Sequence, residues 1–274
     1  MIAIFLCCIS AGAQTAADSL AVVSADWNWN DLGKGMMSGS AQLPMFGGIQ
    51  SISIVKYPAR KHSSSVLHSP AGDAASTDVL AKDNDALAAI NGSYFNMREL
   101  TPTTYLSVNG QQLGSTDPSE LFRIDGLLIL NGRAGRKVSI AECDTLKLDK
   151  LSKRNRTILA AGPLLITDGR DRTVTDQSGF TTNRHNRSII GLDGKGNVYL
   201  IVVDGRYQGE ADGMTIAEVI ALCRYLGLED ALNLDGGGSS QIWTREEGTL
   251  NYPSDNERWD HDGGRTIPNC ILVN

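Results

Sequence analysis

In the run RSIIGLDGKGNVYLIVVDGR, residues 187–206, two apolar, β-branched segments flank the turn Gly194-Lys195-Gly196-Asn197, the pattern of a β-hairpin. Next comes GMTIAEVIALCRYLGLED, where Ile216, Val219, Ile220, Cys223 and Leu226 recur at helical spacing. Thr215 followed three residues later by Glu218 reads as a capping box, and Gly227 stands where a helix stops. ALNLD is then a short buried strand. Strand, helix and strand in that order imply a right-handed crossover between parallel strands. The expected fold is therefore α+β or mixed α/β, a central mixed sheet with a helix crossover between the strands ending at Asp204 and Asp235.

That topology gathers chemistry. Asp204 and Asp235 each close a strand, so parallel strands deliver both carboxylates to one carboxyl edge, where open α/β sheets bind ligands. ALAAIN is a third strand of this kind, ending in Asn91-Gly92. In the hairpin, a four-residue loop sets Arg187 opposite Asp204 and a three-residue loop sets it opposite Val203. Either register leaves the arginine at the same edge, with Arg206 two residues beyond Asp204.

After Asp235 the chain reads Gly236-Gly237-Gly238-Ser239-Ser240. Glycine inside an element costs about 0.5–1 kcal/mol relative to alanine, so three together suggest bare backbone with a purpose. The expectation is a concave anion site of backbone N–H groups, with the two serine hydroxyls as further donors. Paired carboxylates at one edge suit acid and base roles in glycoside hydrolysis, about 5 Å apart for retention and about 6.5–9.5 Å apart for inversion. They equally suit a hard divalent cation, so Asp204 and Asp235 are also possible metal ligands and no cofactor is firmly implied. Glu218 is accounted for by its capping box, His185 reads as a solvent-facing loop residue, and DNERWDHDGG reads as an exposed loop rather than a metal site, with His261 and Asp262 as its ligand candidates.

The 274 residues, 41% hydrophobic and 20% charged, suffice for one sizeable core or two small ones. A net charge of -6 without any basic run argues against a nucleic-acid partner. The apolar stretch Ile2 to Ile9 before Ala11-Gly12-Ala13 reads as a signal peptide over residues 1–13, hence a secreted or periplasmic protein. Lipoprotein anchoring at Cys7 or Cys8 is the weaker alternative, because the residues before them fit that pattern poorly. No later apolar run reaches the roughly 20 residues of a transmembrane segment. Cys143, Cys223 and Cys270 form neither a disulfide framework nor a zinc pattern, and Cys223 and Cys270, which sit in apolar patterns, read as core residues. Residues 14–45, rich in Ala, Ser, Gly and Asp, read as an N-terminal extension or linker, and 46–274 as one domain.

Taken in order, NGSYF, RSIIGLD, VDGR followed by GMTIAEV, NLDGGGSS and RTIPNCILV resemble the phosphodiester glycosidase domain family, which includes the mannose 6-phosphate uncovering enzyme. The resemblance spans about residues 85–274. It implies a secreted bacterial hydrolase that splits a sugar from a phosphodiester at the anomeric carbon, releasing free sugar and a phosphomonoester. The partner would be a small-molecule or glycan phosphodiester of the N-acetylglucosamine 1-phosphodiester kind. By the same resemblance Asp235 and its glycines, Asp204, Arg206, Arg187, Asn91 and Arg265 line the pocket, with Gly92 and Tyr94 beside them; the Tyr94 ring suits a sugar face. A phosphomonoester is a good leaving group, so arginines stabilise it while one aspartate, Asp235 or Asp204, activates water or supports the oxocarbenium-like centre. Two alternatives stand beside this reading: a metal-dependent phosphodiesterase in which Asp204, Asp235 and Asn91 hold a cation, and a non-catalytic envelope glycan-binding module.

Overall fold

The computed structural model describes residues 15–132, 135–144, 148, 151 and 157–274, so the expected signal peptide lies outside the described residues. Helix α1 spans 15–23. It leads into strands β1 (Asn28–Gly33), β2 (Met36–Met45), β3 (Gly48–Pro58) and β4 (Ser64–His68), helix α2 (Thr77–Asp83) and strand β5 (Ala88–Asn91). The middle of the chain forms β6 (Phe95–Asn96), β7 (Thr101–Pro102), β8 (Leu106–Val108), β9 (Gln111–Gly114), β10 (Gly126–Asn131), β11 (Lys137–Glu142), β12 (Thr157–Ala161), β13 (Leu164–Thr167) and β14 (Arg170–Asp171). The remainder is α3 (Gly179–Thr182), β15 (Arg187–Asp193), β16 (Asn197–Val203), α4 (Ile216–Tyr225), β17 (Leu228–Asn233), β18 (Ile242–Thr244), β19 (Gly248–Thr249) and β20 (Asn269–Val273).

Strands dominate. The largest sheet has the order β1-β2-β3-β16-β15-β17-β13-β14, and two five-stranded sheets run β11-β10-β12-β8-β9 and β19-β18-β5-β20-β4. The strand, helix, strand unit forms as expected, with one correction to its sheet. β17 lies beside β15 rather than β16, and both neighbours of β15 are antiparallel to it. β16 and β17 therefore run the same way with one strand between them, and every pairing among the described strands is antiparallel rather than mixed. The ends of β16 and β17 and the start of β15 still meet at one edge. β5 is a second correction: it belongs to another sheet, between β18 and β20.

The hairpin takes the three-residue register, with Arg187 opposite Val203. Asp193 decides it, since its Oδ1 accepts the N–H groups of both Lys195 and Asn197 at 2.9 Å and so closes the turn from inside. Residues 28–45, read from sequence as extension or linker, are instead β1 and β2 of the large sheet, and β2 pairs with β3 from Met37↔Lys56 to Met45↔Gly48. Their alternation was masked by small residues. One of them, Gly39, is obligatory, because a Cβ there would lie 2.6 Å from the Trp29 ring.

Both faces of the large sheet are covered, which is why its central strands read as continuous apolar runs. Val55, Ile190, Leu200 and Leu232 face Ile90, Leu128, Leu159 and Ile271 of the other sheets. Ile54, Ile189, Ile201 and Ala231 face Ile216, Val219, Leu222 and Cys223 of α4. Cys143, Cys223 and Cys270 are free thiols; Cys223 and Cys270 are buried core residues as expected, and Cys143 is half-buried.

The start of α4 is fixed by the expected capping box. Thr215 Oγ1 accepts from the Glu218 N–H at 3.2 Å, and Glu218 Oε2 accepts from the Thr215 N–H at 2.8 Å. Glu218 also pairs with Arg184 at 2.6 Å, and Gly227 ends the helix at φ 75. We predict that Thr215→Ala costs about 1 kcal/mol in chemical denaturation, the usual value of a lost N-cap. No measurable change would mean that packing alone holds the helix start.

Candidate functional site

At the edge where β15 begins and β17 ends, a cavity of about 260 Å³ is lined by Asp235, Arg187, Arg206, Gly236, Gly237 and Tyr94. These six expected site residues are thus brought together. Asn91 and Gly92 stand behind them. The Asn91 Nδ2 donates to the Asp235 carbonyl at 2.7 Å and the Gly92 carbonyl accepts from the Asp235 N–H at 3.1 Å, so the second sheet holds the Asp235 backbone at both ends. Asp235 Oδ1 accepts from the Gly236 N–H at 3.0 Å. Burial raises the Asp235 pKa above the usual carboxylate range, opposed by the neighbouring Ser239 hydroxyl and the charges of Arg123 and Arg265.

Arg187 is 1% exposed. Its Nε donates to the Met214 carbonyl at 2.8 Å, and its Nη2 to the carbonyls of Phe180 at 2.8 Å and Asn183 at 3.0 Å. These partners are neutral, and among the described residues no carboxylate forms an ion pair with it. Burial accordingly lowers its pKa to about 10, which leaves it cationic at neutral pH. The Tyr94 hydroxyl donates to the Gly162 carbonyl at 2.6 Å, which fixes the ring in the cavity wall.

Four lining residues were missed. Arg123 stacks its guanidinium 3.8 Å from the Tyr94 ring centroid and is steadied by Glu120, which accepts from its Nε at 2.6 Å. Phe180 adds an apolar wall, and Asn186 is fully buried with Nδ2 unpartnered. His185, expected to face solvent, also lines the cavity. Its Nε2 meets the Gly179 carbonyl at 3.2 Å, so the proton resides there and Nδ1 keeps a lone pair. Burial, then the charges of Arg187 and Arg206, lower its pKa. The available sequence signals were slight: an i, i+3 Glu120/Arg123 pair and the charged run around His185.

The glycine turn departs from the expected anion cradle. Gly236 donates to Asp235, Gly237 to the Asn186 carbonyl at 2.9 Å, Ser239 to the Gly236 carbonyl at 3.2 Å and Ser240 to the Gly237 carbonyl at 3.1 Å, so most of its N–H groups are spent internally. The bare backbone serves close packing instead. A Cβ on Gly236 would sit 2.6 Å from the Asn186 carbonyl oxygen, one on Gly237 would sit 2.9 Å from Arg206 Nη2, and one on Gly238 would sit 2.2 Å from Arg265 Nη2. Gly237 also has φ 60. Ser240 points inward, its Oγ 3.1 Å from Ser188 Oγ. Arg265 lies behind the turn, its Nε 3.1 Å from both Asp255 carboxylate oxygens, outside the cavity lining.

Asp204 is the other correction. It is wholly buried outside the cavity: Oδ2 accepts from Ser51 Oγ at 2.8 Å, and Oδ1 accepts from Asn251 Nδ2 and the Tyr252 N–H at 3.0 Å. The paired-carboxylate geometry is therefore not built, and neither is a metal site shared by Asp204 and Asp235. Among the described residues no group of three or more His, Cys, Asp or Glu is arranged to hold a metal ion. His261 is occupied elsewhere, with Nδ1 2.9 Å from the Asn251 carbonyl.

Desolvation raises the Asp204 pKa from 3.8 to about 7. The folded protein thus keeps a proton that the unfolded chain has lost, and the stability this gives is full below about pH 4 and lost as pH rises through about 7. In Asp204→Asn the amide can donate to Ser51 and accept from Asn251 and Tyr252. We predict that its melting temperature gains on wild type as pH is raised from about 4 to about 8; a pH-independent difference would refute the assignment.

A sequence profile of the Phosphodiester glycosidase family matches residues 84–274. No curated protein matches the chain by sequence. Among solved structures, the catalytic domain of zebrafish N-acetylglucosamine-1-phosphodiester alpha-N-acetylglucosaminidase, auto-inhibited by its pro-peptide, is similar at TM-score 0.68 and 21% identity, over 89% of this chain and 85% of that one. A hypothetical protein from Synechocystis is similar at TM-score 0.69 and 17% identity over 90% of this chain, which spans 63% of the Synechocystis chain. At these identities the two structures share the fold.

Proposed function

From the premise that the chain belongs to the phosphodiester glycosidase family, we propose that it hydrolyses the bond between a sugar's anomeric carbon and a phosphodiester, releasing free sugar and a phosphomonoester. The observation that carries this reading is the uncompensated charge of Arg187. A buried guanidinium held only by carbonyls is costly unless an anion completes it, and Arg187 lines a cavity that Arg123 and Arg206 also line. Arg206 has no hydrogen-bond or ion-pair partner among the described residues and is free to meet an anion.

Three cations around one carboxylate suit a phosphate leaving group better than an ordinary sugar hydroxyl. Charge that develops on the phosphate oxygens is met by guanidinium donors already in place. Asp235, among the described residues the one carboxylate lining the cavity, supports the oxocarbenium-like centre or takes the proton of the attacking water, and the lone pair on His185 Nδ1 offers a second proton acceptor. The Tyr94 and Phe180 rings give the sugar its apolar wall. Asp204 acts through structure, tying Ser51 of β3 to the Asn251-Tyr252 segment. The substrate class proposed is an N-acetylglucosamine 1-phosphodiester or a close relative, and the apolar N-terminal stretch supports action outside the cytoplasm.

The test is incubation with the methyl phosphodiester of N-acetylglucosamine and product identification by mass spectrometry. Free sugar with methyl phosphate is expected; sugar 1-phosphate with methanol would move the attack to phosphorus and overturn the reading. Asp235→Asn is expected to lower kcat by about a hundredfold or more with the fold intact. Arg206→Ala is expected to lower kcat/KM by about ten- to a hundredfold, the loss of one charge-assisted donor; an unchanged value would remove Arg206 from the site.

A further inference from the structure

A large apolar side chain stays exposed at the rim of the Asp235 cavity, in the segment before β10. Phe122 is 54% exposed, and Leu121 before it 56%. Phe122 does not line the cavity, yet it packs against two residues that do. Its ring meets that of Phe180 edge to face at 6.3 Å, and the Arg123 guanidinium lies 5.5 Å from its centroid. Phe180 meets Tyr94 in the same way at 6.3 Å, so three rings lead from the buried Tyr94 through the half-buried Phe180 to the exposed Phe122. Arg123 runs beside all three, 3.8 Å from the Tyr94 centroid and 5.3 Å from that of Phe180. Glu120 holds its Nε at 2.6 Å and its Nη2 at 2.5 Å, which leaves Nη1 without a partner among the described residues.

A phosphodiester has two ester arms. In the reaction proposed above the sugar arm meets Asp235, so a phosphate held by the arginines sends its second arm, the aglycone, outward. Arg123 is the lining arginine that reaches the exposed ring. A cation beside an uncovered phenyl ring suits a ligand that is anionic at one point and apolar next to it: the charge meets Arg123, and the chain takes the ring out of water. A sugar in that place would gain one stacked face and no hydrogen bond, because neither Leu121 nor Phe122 carries a side-chain donor or acceptor. An alkyl chain gains along its whole length. Two exposed side chains are enough for one such chain and too few for a membrane-docking face.

We propose, resting on the phosphodiester reading, that the aglycone of the substrate is an alkyl alcohol met in solution, its chain lying over Phe122. An alkyl phosphate is then the product, and its binding tests the rim without turnover. The test is calorimetric titration of the full chain with methyl phosphate, hexyl phosphate and, as the polar comparison, glucose 6-phosphate. Hexyl phosphate is expected to bind at least about tenfold more tightly than methyl phosphate, since a fully buried methylene is worth about fourfold. Glucose 6-phosphate is expected to bind no more tightly than methyl phosphate. Phe122→Ser should bring the hexyl-to-methyl ratio down to about threefold or less, and Phe122→Leu should keep it, because the requirement is for an apolar surface rather than an aromatic one. Melting curves show that each variant is folded. The proposal is overturned if hexyl phosphate fails to bind at up to about 10 mM, if hexyl and methyl phosphate bind equally, if glucose 6-phosphate binds most tightly, or if Phe122→Ser keeps the full ratio. Cleavage at phosphorus would overturn the reaction and leave the ratio standing, whereas equal binding beside glycosidic cleavage overturns the alkyl aglycone alone.

Discussion

One buried amide joins the parts of the protein that make the site. Asn91, at the end of β5, donates to the Asp235 carbonyl and accepts from Ser188 Oγ of β15 at 2.7 Å and from the Gln241 N–H at 3.2 Å. It thus links the second sheet, the hairpin that begins with Arg187 and the turn after β17. Asn91, Ser188 and Gln241 are buried and Asp235 is half-buried, so loss of the amide would strand several polar atoms at once, each buried one at a cost of roughly 1–3 kcal/mol. The position of Asp235 is therefore set by agreement between two sheets rather than by the local chain.

Around that fixed carboxylate the electrostatics are one-sided. Arg187 is buried on three carbonyls, Arg123 is stacked on Tyr94, and Arg206 faces Gly237. The charges of Arg123 and Arg265 pull the Asp235 pKa down less than desolvation raises it, and burial, then the charges of Arg187 and Arg206, lower that of His185. Such an arrangement is costly to the apo protein and gains when an anion arrives, because the desolvation is already complete. The glycines of the turn contribute by absence of side chains: they allow Arg206 and the Arg265–Asp255 pair to close on the backbone.

Local patterns were legible in the sequence wherever a short-range physical rule acts. The hairpin, the capping box at Thr215 and Glu218, the Gly227 stop and the strands ending at Asp204 and Asp235 all follow from periodicity and turn chemistry. Strand order was not legible, since nothing in β16, α4 and β17 tells the chain to pass over β15, and the antiparallel sheet follows from that one skipped strand. The same limit explains Asp204 and Asp235. Both end strands that run the same way, but which side chain enters the cavity depends on Ser51, Asn251 and Tyr252, residues distant in sequence that claim Asp204. Arg123 and Asn186 carry no motif and join the site only through long-range packing.

The strands before the family-matched region have a practical meaning for anyone handling fragments of this chain. β3 pairs with β16 along Asn197↔Pro58 to Val203↔Ile52, and β2 covers the other side of β3. A fragment beginning at residue 84, where the family match starts, would leave β16 as a long, flat, apolar border with its amides open to solvent. Such borders recruit other chains, so the fragment would be governed by self-association before its chemistry could be read. The proper unit of expression begins upstream of Asn28, and limited proteolysis should find its first accessible site outside β2 and β3.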